Sequence, residues 1–204
     1  MNQTLERRPQ AATPGPTAKP IISPQRLAHV VLRSSQLPAL VDWYTTVLGA
    51  TVAFSDGNLA FLSYDEEHHR IAVLNIPGLE RQTGSTTGVH HMAFTYGSLS
   101  DLVATYERLD KTGIRPVLCI NHGPTTSLYY ADPDGNQVEL QVDNYDTVEE
   151  AGAFFYSPAF AQNPIGVDFE PADLAKRFHA DEDEAVIKRR PDSGARGLDS
   201  LNLS

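Results

Sequence analysis

Two histidines and one glutamate stand in strand-like runs of this chain and are the residues best suited to bind a metal ion. His29 lies in the apolar run 27–32, His91 lies in the apolar run 89–94, and Glu139 follows later in the chain. Two imidazoles and one carboxylate form the ligand set of non-haem Fe(II) centres, which keeps coordination positions open for substrate and dioxygen. The same ligands suit Mn(II). The residue types therefore predict a three-ligand Fe(II) site, with Mn(II) as the alternative metal.

An internal repeat relates the two histidines. A repeated unit that supplies one histidine from each copy can bring two imidazoles together across a pseudo-twofold axis. His90 is an alternative to His91, but side chains alternate along a strand, so His90 would face the other side. The register of the repeat favours His91. An offset of 62 residues places His91 on His29 and also aligns three further pairs: Leu40 with Leu102, Tyr44 with Tyr106, and Val47 with Leu109.

Each copy is predicted to contain a strand, a helix and three further strands. The copies span residues 25–84 and 85–143, and Gly49 and Gly113 end the two helices. This order predicts the fold class α+β, with two tandem βαβββ modules. The predicted strands are 27–33, 51–54, 59–64 and 70–75 in the first copy, and 90–96, 115–120, 127–131 and 137–142 in the second.

The two ends of the chain differ in composition from the repeats. Residues 1–24 contain five prolines and show no helical or strand period, which is typical of a flexible arm. Residues 144–204 form a C-terminal extension with a predicted helix at 171–179 and a polar tail from Asp181. We expect this tail to be mobile or bound to a partner. The aromatic residues between 154 and 160 could cover the mouth of a site, cap sheet edges or build a subunit contact.

The position of Glu139 in its strand predicts a polar concavity. Glu139 alternates with the apolar Val138 and Leu140, so it shares the opposite face of the strand with two glutamines. Alignment of the last strands of the two copies places Val73 where the second copy has Glu139. This position is the fourth place, where the repeat would put a fourth protein ligand. Because the residue there is apolar, we expect a metal centre with three protein ligands and open coordination positions.

Two more histidines and one tyrosine are candidates for acid–base chemistry beside the metal. We expect His69 to face the cleft from the first copy, His122 to lie at a strand end, and Tyr130 to lie in the next strand. A histidine that is not a ligand can carry protons at neutral pH, and a tyrosine hydroxyl can orient a phenolate oxygen. The alternatives, which the sequence leaves open, are exposed loop positions for the histidines and core packing for the tyrosine.

Residues 26–143 resemble the vicinal oxygen chelate superfamily, and within it a small, two-module form of the type I extradiol ring-cleavage dioxygenases. The resemblance rests on the two histidine strands and on the segment 132–139, Asp-Pro-Asp-Gly-Asn-Gln-Val-Glu. The segment 163–169 is also similar to small proteins of this kind. The resemblance implies a cup-shaped mixed sheet around the metal, and an enzyme that opens the ring of a catechol-type diol with O2.

The resemblance also implies roles for the acid–base candidates. In that family two histidines and one tyrosine surround the iron, and His69, His122 and Tyr130 match their positions. His69 would take a substrate proton or stabilise bound oxygen, His122 would form a hydrogen bond with oxygen or with the intermediate, and Tyr130 would position the substrate oxygen. The spacing between Tyr130 and Glu139 is one residue shorter than in larger relatives.

Composition limits the classes of partner. The formal net charge of the 204-residue chain is −10, which argues against nucleic acid and anionic membranes and favours a small-molecule substrate. No run approaches the roughly 18 apolar residues of a membrane span. The single cysteine, Cys119, is typical of a reducing compartment. We therefore expect a cytoplasmic protein, and we also expect a homo-oligomer.

Two other functions compete on the same scaffold. A glyoxalase-like isomerase or epimerase would use Zn, Ni, Co or Mn and usually needs a fourth protein ligand, which Val73 does not supply. A metal-free protein that binds an aromatic or drug molecule would need neither the paired histidines nor the additional ones.

Overall fold

The computed structural model describes residues 20–81, 87–197 and 200. Residues 1–19 of the predicted arm, residues 82–86 at the boundary between the two copies, and residues 198–199 and 201–204 of the polar tail lie outside the described residues. No helix in the described part of the chain is long and apolar enough to cross a membrane.

The first module follows the predicted order of elements. It consists of β1 (Val30–Ser34), α1 (Leu37–Leu48), β2 (Thr51–Ser55), β3 (Leu59–Ser63) and β4 (Ile71–Asn75). The sheet order is β1-β4-β3-β2, with β1 parallel to β4 and the other pairs antiparallel. The left-handed backbone of Gly49, with φ of 65°, ends α1 as predicted. β1 begins later than predicted, which leaves His29 just outside the strand.

The second module repeats this arrangement. It consists of β5 (His91–Thr95), α2 (Leu99–Lys111), β6 (Leu118–Asn121), β7 (Thr125–Ala131) and β8 (Gln137–Asp143). β5 runs parallel to β8, and β7 pairs antiparallel with both β8 and β6. The hydroxyl of Ser98 accepts a hydrogen bond from the amide of Asp101 at 3.1 Å and so caps α2. The predicted α+β fold with two βαβββ modules is confirmed.

The C-terminal extension is folded against the second module. It contains α3 (Val148–Phe154), α4 (Pro158–Gln162), β9 (Val167–Asp168), α5 (Pro171–His179) and α6 (Glu184–Ile187). β9 pairs with β6, so the second sheet has the order β5-β8-β7-β6-β9. The expectation of a mobile tail from Asp181 is wrong for the described residues beyond it, because α6 buries Ile187 in the core. Ile187 is the buried side chain of α6.

The two modules share one hydrophobic core, which lies between the sheets and the helices α1 and α2. Tyr44 of α1 is fully buried there, and its hydroxyl donates a hydrogen bond to Asp132 of the second module at 3.1 Å. Burial of each large apolar side chain contributes about 1.5–3 kcal/mol. Among the described strands, none of the first sheet pairs with one of the second. The strands therefore form two sheets joined by the core, and the faces turned away from the helices remain available for a site.

Candidate active site

His91 and Glu139 meet on the face of the second sheet that is turned away from the helices. Glu139 lies in β8, is only 4% exposed, and pairs with Ala93 of β5. The Nε2 atom of His91 lies 2.9 Å from Oε2 of Glu139. Burial acts to raise the pKa of Glu139, but hydrogen bonds from His91 and Ser127 outweigh burial and hold this pKa below its usual value. Glu139 is therefore ionised, as a metal-ligating carboxylate must be.

Tyr129 lies beside this pair, although it is not among the site residues predicted from the sequence. Tyr129 pairs with Glu139 across β7 and β8, and the centroid of its ring lies 5.3 Å from that of His91. Burial raises the pKa of the Tyr129 hydroxyl, and the negative charge of Glu139 raises it further. The hydroxyl is therefore protonated at neutral pH and can donate a hydrogen bond.

The imidazole of His122 accepts a hydrogen bond from the Tyr129 hydroxyl. The Nε2 atom of His122 lies 2.8 Å from the hydroxyl oxygen of Tyr129, and its Nδ1 atom contacts the backbone carbonyl of Ile165. A carbonyl oxygen only accepts, so Nδ1 carries the ring proton. Burial lowers the pKa of His122, although the bond to Ile165 opposes this effect. In the neutral ring Nε2 is unprotonated, so the Tyr129 hydroxyl donates to it.

The structure places Tyr130 away from this site, which corrects the sequence prediction by one residue. Tyr130 pairs with Val138, is 0% exposed, and belongs to the shared core on the helix side of the sheet. Side chains alternate along a strand, so only one of two consecutive tyrosines can share the face of Glu139. The spacing between Tyr130 and Glu139, one residue shorter than in larger relatives, was the signal in the sequence that pointed to Tyr129.

His69 and His29 lie together in the first module. Their ring centroids are 4.4 Å apart, and the ring of Phe61 lies 4.6 Å from that of His69. Burial lowers the pKa of His69, and the neighbouring His29 lowers it further. His69 belongs to the loop before β4. The loop, and not the alternation of a strand, therefore directs its ring towards Phe61.

The fourth place of the repeat belongs to Ala72 and not to Val73. β1 and β4 pair Val31 with Ala72, just as β5 and β8 pair Ala93 with Glu139. Since Val31 and Ala93 each follow a candidate ligand by two residues, Ala72 is the equivalent of Glu139. Val73 is instead buried in the core. The alignment by sequence was wrong by one residue, but the residue at the fourth place is apolar in either register.

The same register relates two aromatic residues of the modules. Phe61 pairs with Ala72 in the first sheet, and Tyr129 pairs with Glu139 in the second. The first module therefore has an apolar pair where the second has a carboxylate and a hydroxyl. The chemistry of the site is concentrated in the second module.

The structure brings together only part of the predicted ligand set. His91 and Glu139 are in contact, whereas His29 packs against His69. Within the described residues, no three His, Cys, Asp or Glu side chains form a group that could hold a metal ion. His29 precedes β1 of the first sheet, and His91 begins β5 of the second. Among the described residues the two sheets share no strand pairing, so the backbone hydrogen bonds do not fix the distance between the two histidines. A buried, ionised carboxylate beside an imidazole is nevertheless a donor pair that suits Fe(II) or Mn(II).

Known proteins are similar to this chain over most of its length. Residues 26–140 match the family described as the Glyoxalase/Bleomycin resistance protein/Dioxygenase superfamily. A Rhodococcus globerulus protein named biphenyl-2,3-diol 1,2-dioxygenase 2 is 50% identical over 156 residues, which are 76% of this chain and 82% of that protein. Biphenyl-2,3-diol 1,2-dioxygenase 3 of the same organism is 45% identical over 167 residues, which are 81% of this chain and 88% of that protein.

A solved structure shows the same fold. The crystal structure of a glyoxylase/bleomycin resistance protein/dioxygenase domain from Frankia sp. EAN1pec has a TM-score of 0.51 and 21% sequence identity to this chain. The match covers 61% of this chain and 96% of that domain. The part of this chain beyond the two modules accounts for much of the difference in coverage.

Proposed function

Because this chain belongs to the Glyoxalase/Bleomycin resistance protein/Dioxygenase superfamily, we propose that it is an extradiol dioxygenase that opens the ring of a catechol-type diol with O2. The superfamily predicted from the two histidine strands and the segment 132–139 is confirmed. The two Rhodococcus globerulus relatives carry names that specify a biphenyl-2,3-diol as substrate. A substituted catechol is the corresponding substrate class for this chain.

The observation that carries this proposal is the chain of contacts through Tyr129. On one side Tyr129 lies beside the buried carboxylate of Glu139, and on the other its hydroxyl lies 2.8 Å from Nε2 of His122. A protonated phenol and a neutral imidazole thus stand next to the candidate metal ligands. This is the arrangement needed to orient a diol and to accept one of its protons.

His29, His91 and Glu139 are the residues that would hold Fe(II), with Mn(II) as the alternative. The metal, when bound, would supply Lewis-acid binding of the diol oxygens and electron transfer from the diol to O2. Of the three ligands, His91 and Glu139 are in contact in the structure. His29 is the ligand that the repeat assigns to the first module.

Proton transfer from the diol follows from the hydrogen-bond directions. The Tyr129 hydroxyl donates to Nε2 of His122, so the phenol oxygen can accept a hydrogen bond from a diol hydroxyl. Transfer of the diol proton to Tyr129 and of the Tyr129 proton to His122 leaves a diol oxygen anion and an imidazolium. The imidazolium can return the proton to the ring-opened product. His69 is the second base, positioned on the side of the first module.

A four-ligand isomerase is the less well supported function. Such an enzyme would need a ligand at the place of Ala72, which has a methyl group as its side chain and lies opposite the apolar Phe61. Homo-oligomerisation and a cytoplasmic location remain predictions from the sequence.

Anaerobic reconstitution tests the proposal. The protein is purified without oxygen, its metal content is measured, and Fe(II), air and a panel of mono- and bicyclic catechols are added. We expect visible absorbance of ring-opened products and consumption of one O2 per diol. Tight binding of Zn with no turnover of any catechol would contradict the proposal.

A further inference from the structure

The turn that carries His122 is enclosed by the C-terminal extension. We propose that Arg190 and the turn 163–166 are positioning elements that hold the His122 imidazole in one tautomer and one orientation. This inference rests on the proposed function of His122 for its catalytic consequence.

The carbonyl of Ile165 determines which ring nitrogen of His122 carries the proton. It contacts Nδ1, and this contact leaves Nε2 directed at the hydroxyl of Tyr129. A change of tautomer would put an unprotonated nitrogen against the carbonyl of Ile165, and rotation of the ring would break the contacts with this carbonyl and with Tyr129. Both would leave buried polar atoms without a suitable partner. The extension therefore controls the acceptor of the proton relay.

Gly166 allows the turn to approach the strand end. A Cβ atom added at Gly166 would lie 2.4 Å from the carbonyl oxygen of Asn121 and 2.9 Å from Cα of His122. The φ of Gly166 is +120°, a conformation that side chains with a Cβ rarely adopt. Only glycine lets the Ile165 carbonyl reach His122 at this position.

Asn163 holds the turn in shape. Its side-chain oxygen accepts hydrogen bonds from the amides of Ile165 and Gly166 at 3.1 and 2.7 Å. Its side-chain nitrogen donates to the carbonyl of Gly166 at 3.0 Å and to the hydroxyl of Ser193 at 2.9 Å. Asn163 is 1% exposed. A fully bonded, buried amide side chain makes the turn rigid.

Arg190 joins the turn to the backbone of His122. Its guanidinium donates to the carbonyl of His122 at 3.1 Å and to the carbonyl of Asn163 at 2.8 Å. The same group lies 5.5 Å from the ring centroid of Phe154, and that ring covers Gly123 so closely that a Cβ there would lie 2.3 Å from it. One planar cation thus joins the backbone of His122 to the turn that carries the Ile165 carbonyl.

Histidine-specific NMR tests the proposal without any turnover. The full-length protein, with 15N-labelled histidine rings and no added metal, is compared with Arg190→Met, and the His122 signals are assigned from His122→Gln. We expect wild type to show one protonated δ nitrogen and one unprotonated ε nitrogen for His122, and Arg190→Met to show a mixture of tautomers. Arg189→Met removes an exposed neighbouring arginine and should match wild type. An ε-protonated ring in wild type, or an unchanged tautomer in Arg190→Met, would overturn the proposal.

A second variant covers the case in which Arg190→Met does not fold. Gly166→Ala should displace the Ile165 carbonyl and give the same mixture of tautomers. Gly194→Ala is its control, because Gly194 also has a positive φ, of +76°, but no atom of the described residues lies within 4 Å of the added Cβ. A wild-type tautomer in folded Gly166→Ala would also overturn the proposal.

Steady-state kinetics distinguish a loss of His122 positioning from a general loss of active-site structure. We expect Arg190→Met to lower kcat about 10–100-fold, the usual effect of losing a residue that orients another, with little change in the catechol KM. Introduced into His122→Gln, the same substitution should cause no further loss. Additive losses would contradict action through His122. If no catechol is cleaved but the NMR results are as expected, the proposed function fails and the positioning of His122 stands.

Discussion

Tyr129 and Tyr130 lie on opposite faces of β7, although they are neighbours in the sequence. The hydroxyl of Tyr129 is bonded to His122, whereas the hydroxyl of Tyr130 is buried with no hydrogen-bond partner among the described residues. The two tyrosines are equal in size, but their hydroxyls lie on opposite sides of the sheet. This contrast provides a matched pair of variants.

Tyr129→Phe and Tyr130→Phe should have opposite effects. Removal of the Tyr129 hydroxyl interrupts the relay to His122, so we expect kcat to fall roughly 100-fold or more, the range of a lost acid–base group. Removal of the Tyr130 hydroxyl relieves an unsatisfied buried group, so we expect unchanged kcat and a gain of about 1 kcal/mol in stability. Steady-state kinetics and thermal unfolding of both variants check this. Equal losses of activity would contradict the assignment of faces.

Glu139→Ala and His122→Gln should separate metal binding from rate. Glu139 is the buried, ionised candidate ligand, so its loss should abolish retention of Fe(II) after gel filtration. His122 contacts Tyr129 and Ile165 instead, so its substitution should leave iron content unchanged and lower kcat. The iron content and kcat of both variants are measured to check this prediction. Equal loss of metal in both variants would show that the roles are not distinct.

A carboxylate at the fourth place should change the metal centre. Ala72→Glu adds a ligand at the repeat-related position of Glu139, so we expect tighter retention of Zn and slower ring cleavage, since an open position is lost. Val52→Glu is the control, because it adds the same charge to the same sheet at an exposed edge position. Equal Zn retention in both variants would contradict the register.

The stability of the apoprotein should depend on the protonation of His122. Burial holds the pKa of His122 below that of an exposed histidine, about 6.5. As the pH falls below about 6.5 the unfolded chain therefore binds more protons than the folded chain, and stability is lost in that window. Melting temperatures of wild type should fall more steeply than those of His122→Gln below this pH, and the two curves should run parallel above about pH 7.5. Parallel curves throughout would indicate an exposed His122.

Local signals in the sequence predicted the elements well. Gly49 and Gly113 end the two helices with positive φ, and the predicted helix 171–179 is α5. These helix ends and this helix are determined by residues that are close together in the sequence. The repeat supplied the order of strands, because each copy must bury one face of its sheet against its own helix.

Features that depend on register or distant packing were harder to predict. The sequence predicted Tyr130 and Val73 at positions where the structure has Tyr129 and Ala72. Each error is a shift of one residue, which moves a side chain to the other face of a sheet. The packing of α6 depends on the single buried Ile187, which hydrophobic periodicity does not reveal. The contact between Ile165 and His122 joins residues 43 positions apart and leaves no local signal.

Ring opening under 18O2 tests the central claim most directly. The Fe(II)-reconstituted protein is given 2,3-dihydroxybiphenyl and 18O2 in ordinary water, and the product is analysed by mass spectrometry at early times. An extradiol dioxygenase places both atoms of one O2 in the ring-opened product. Incorporation of both 18O atoms by wild type and by Tyr130→Phe, with a much lower rate for Tyr129→Phe, is the predicted result. Recovery of the intact diol, or of a product without 18O, would contradict the account.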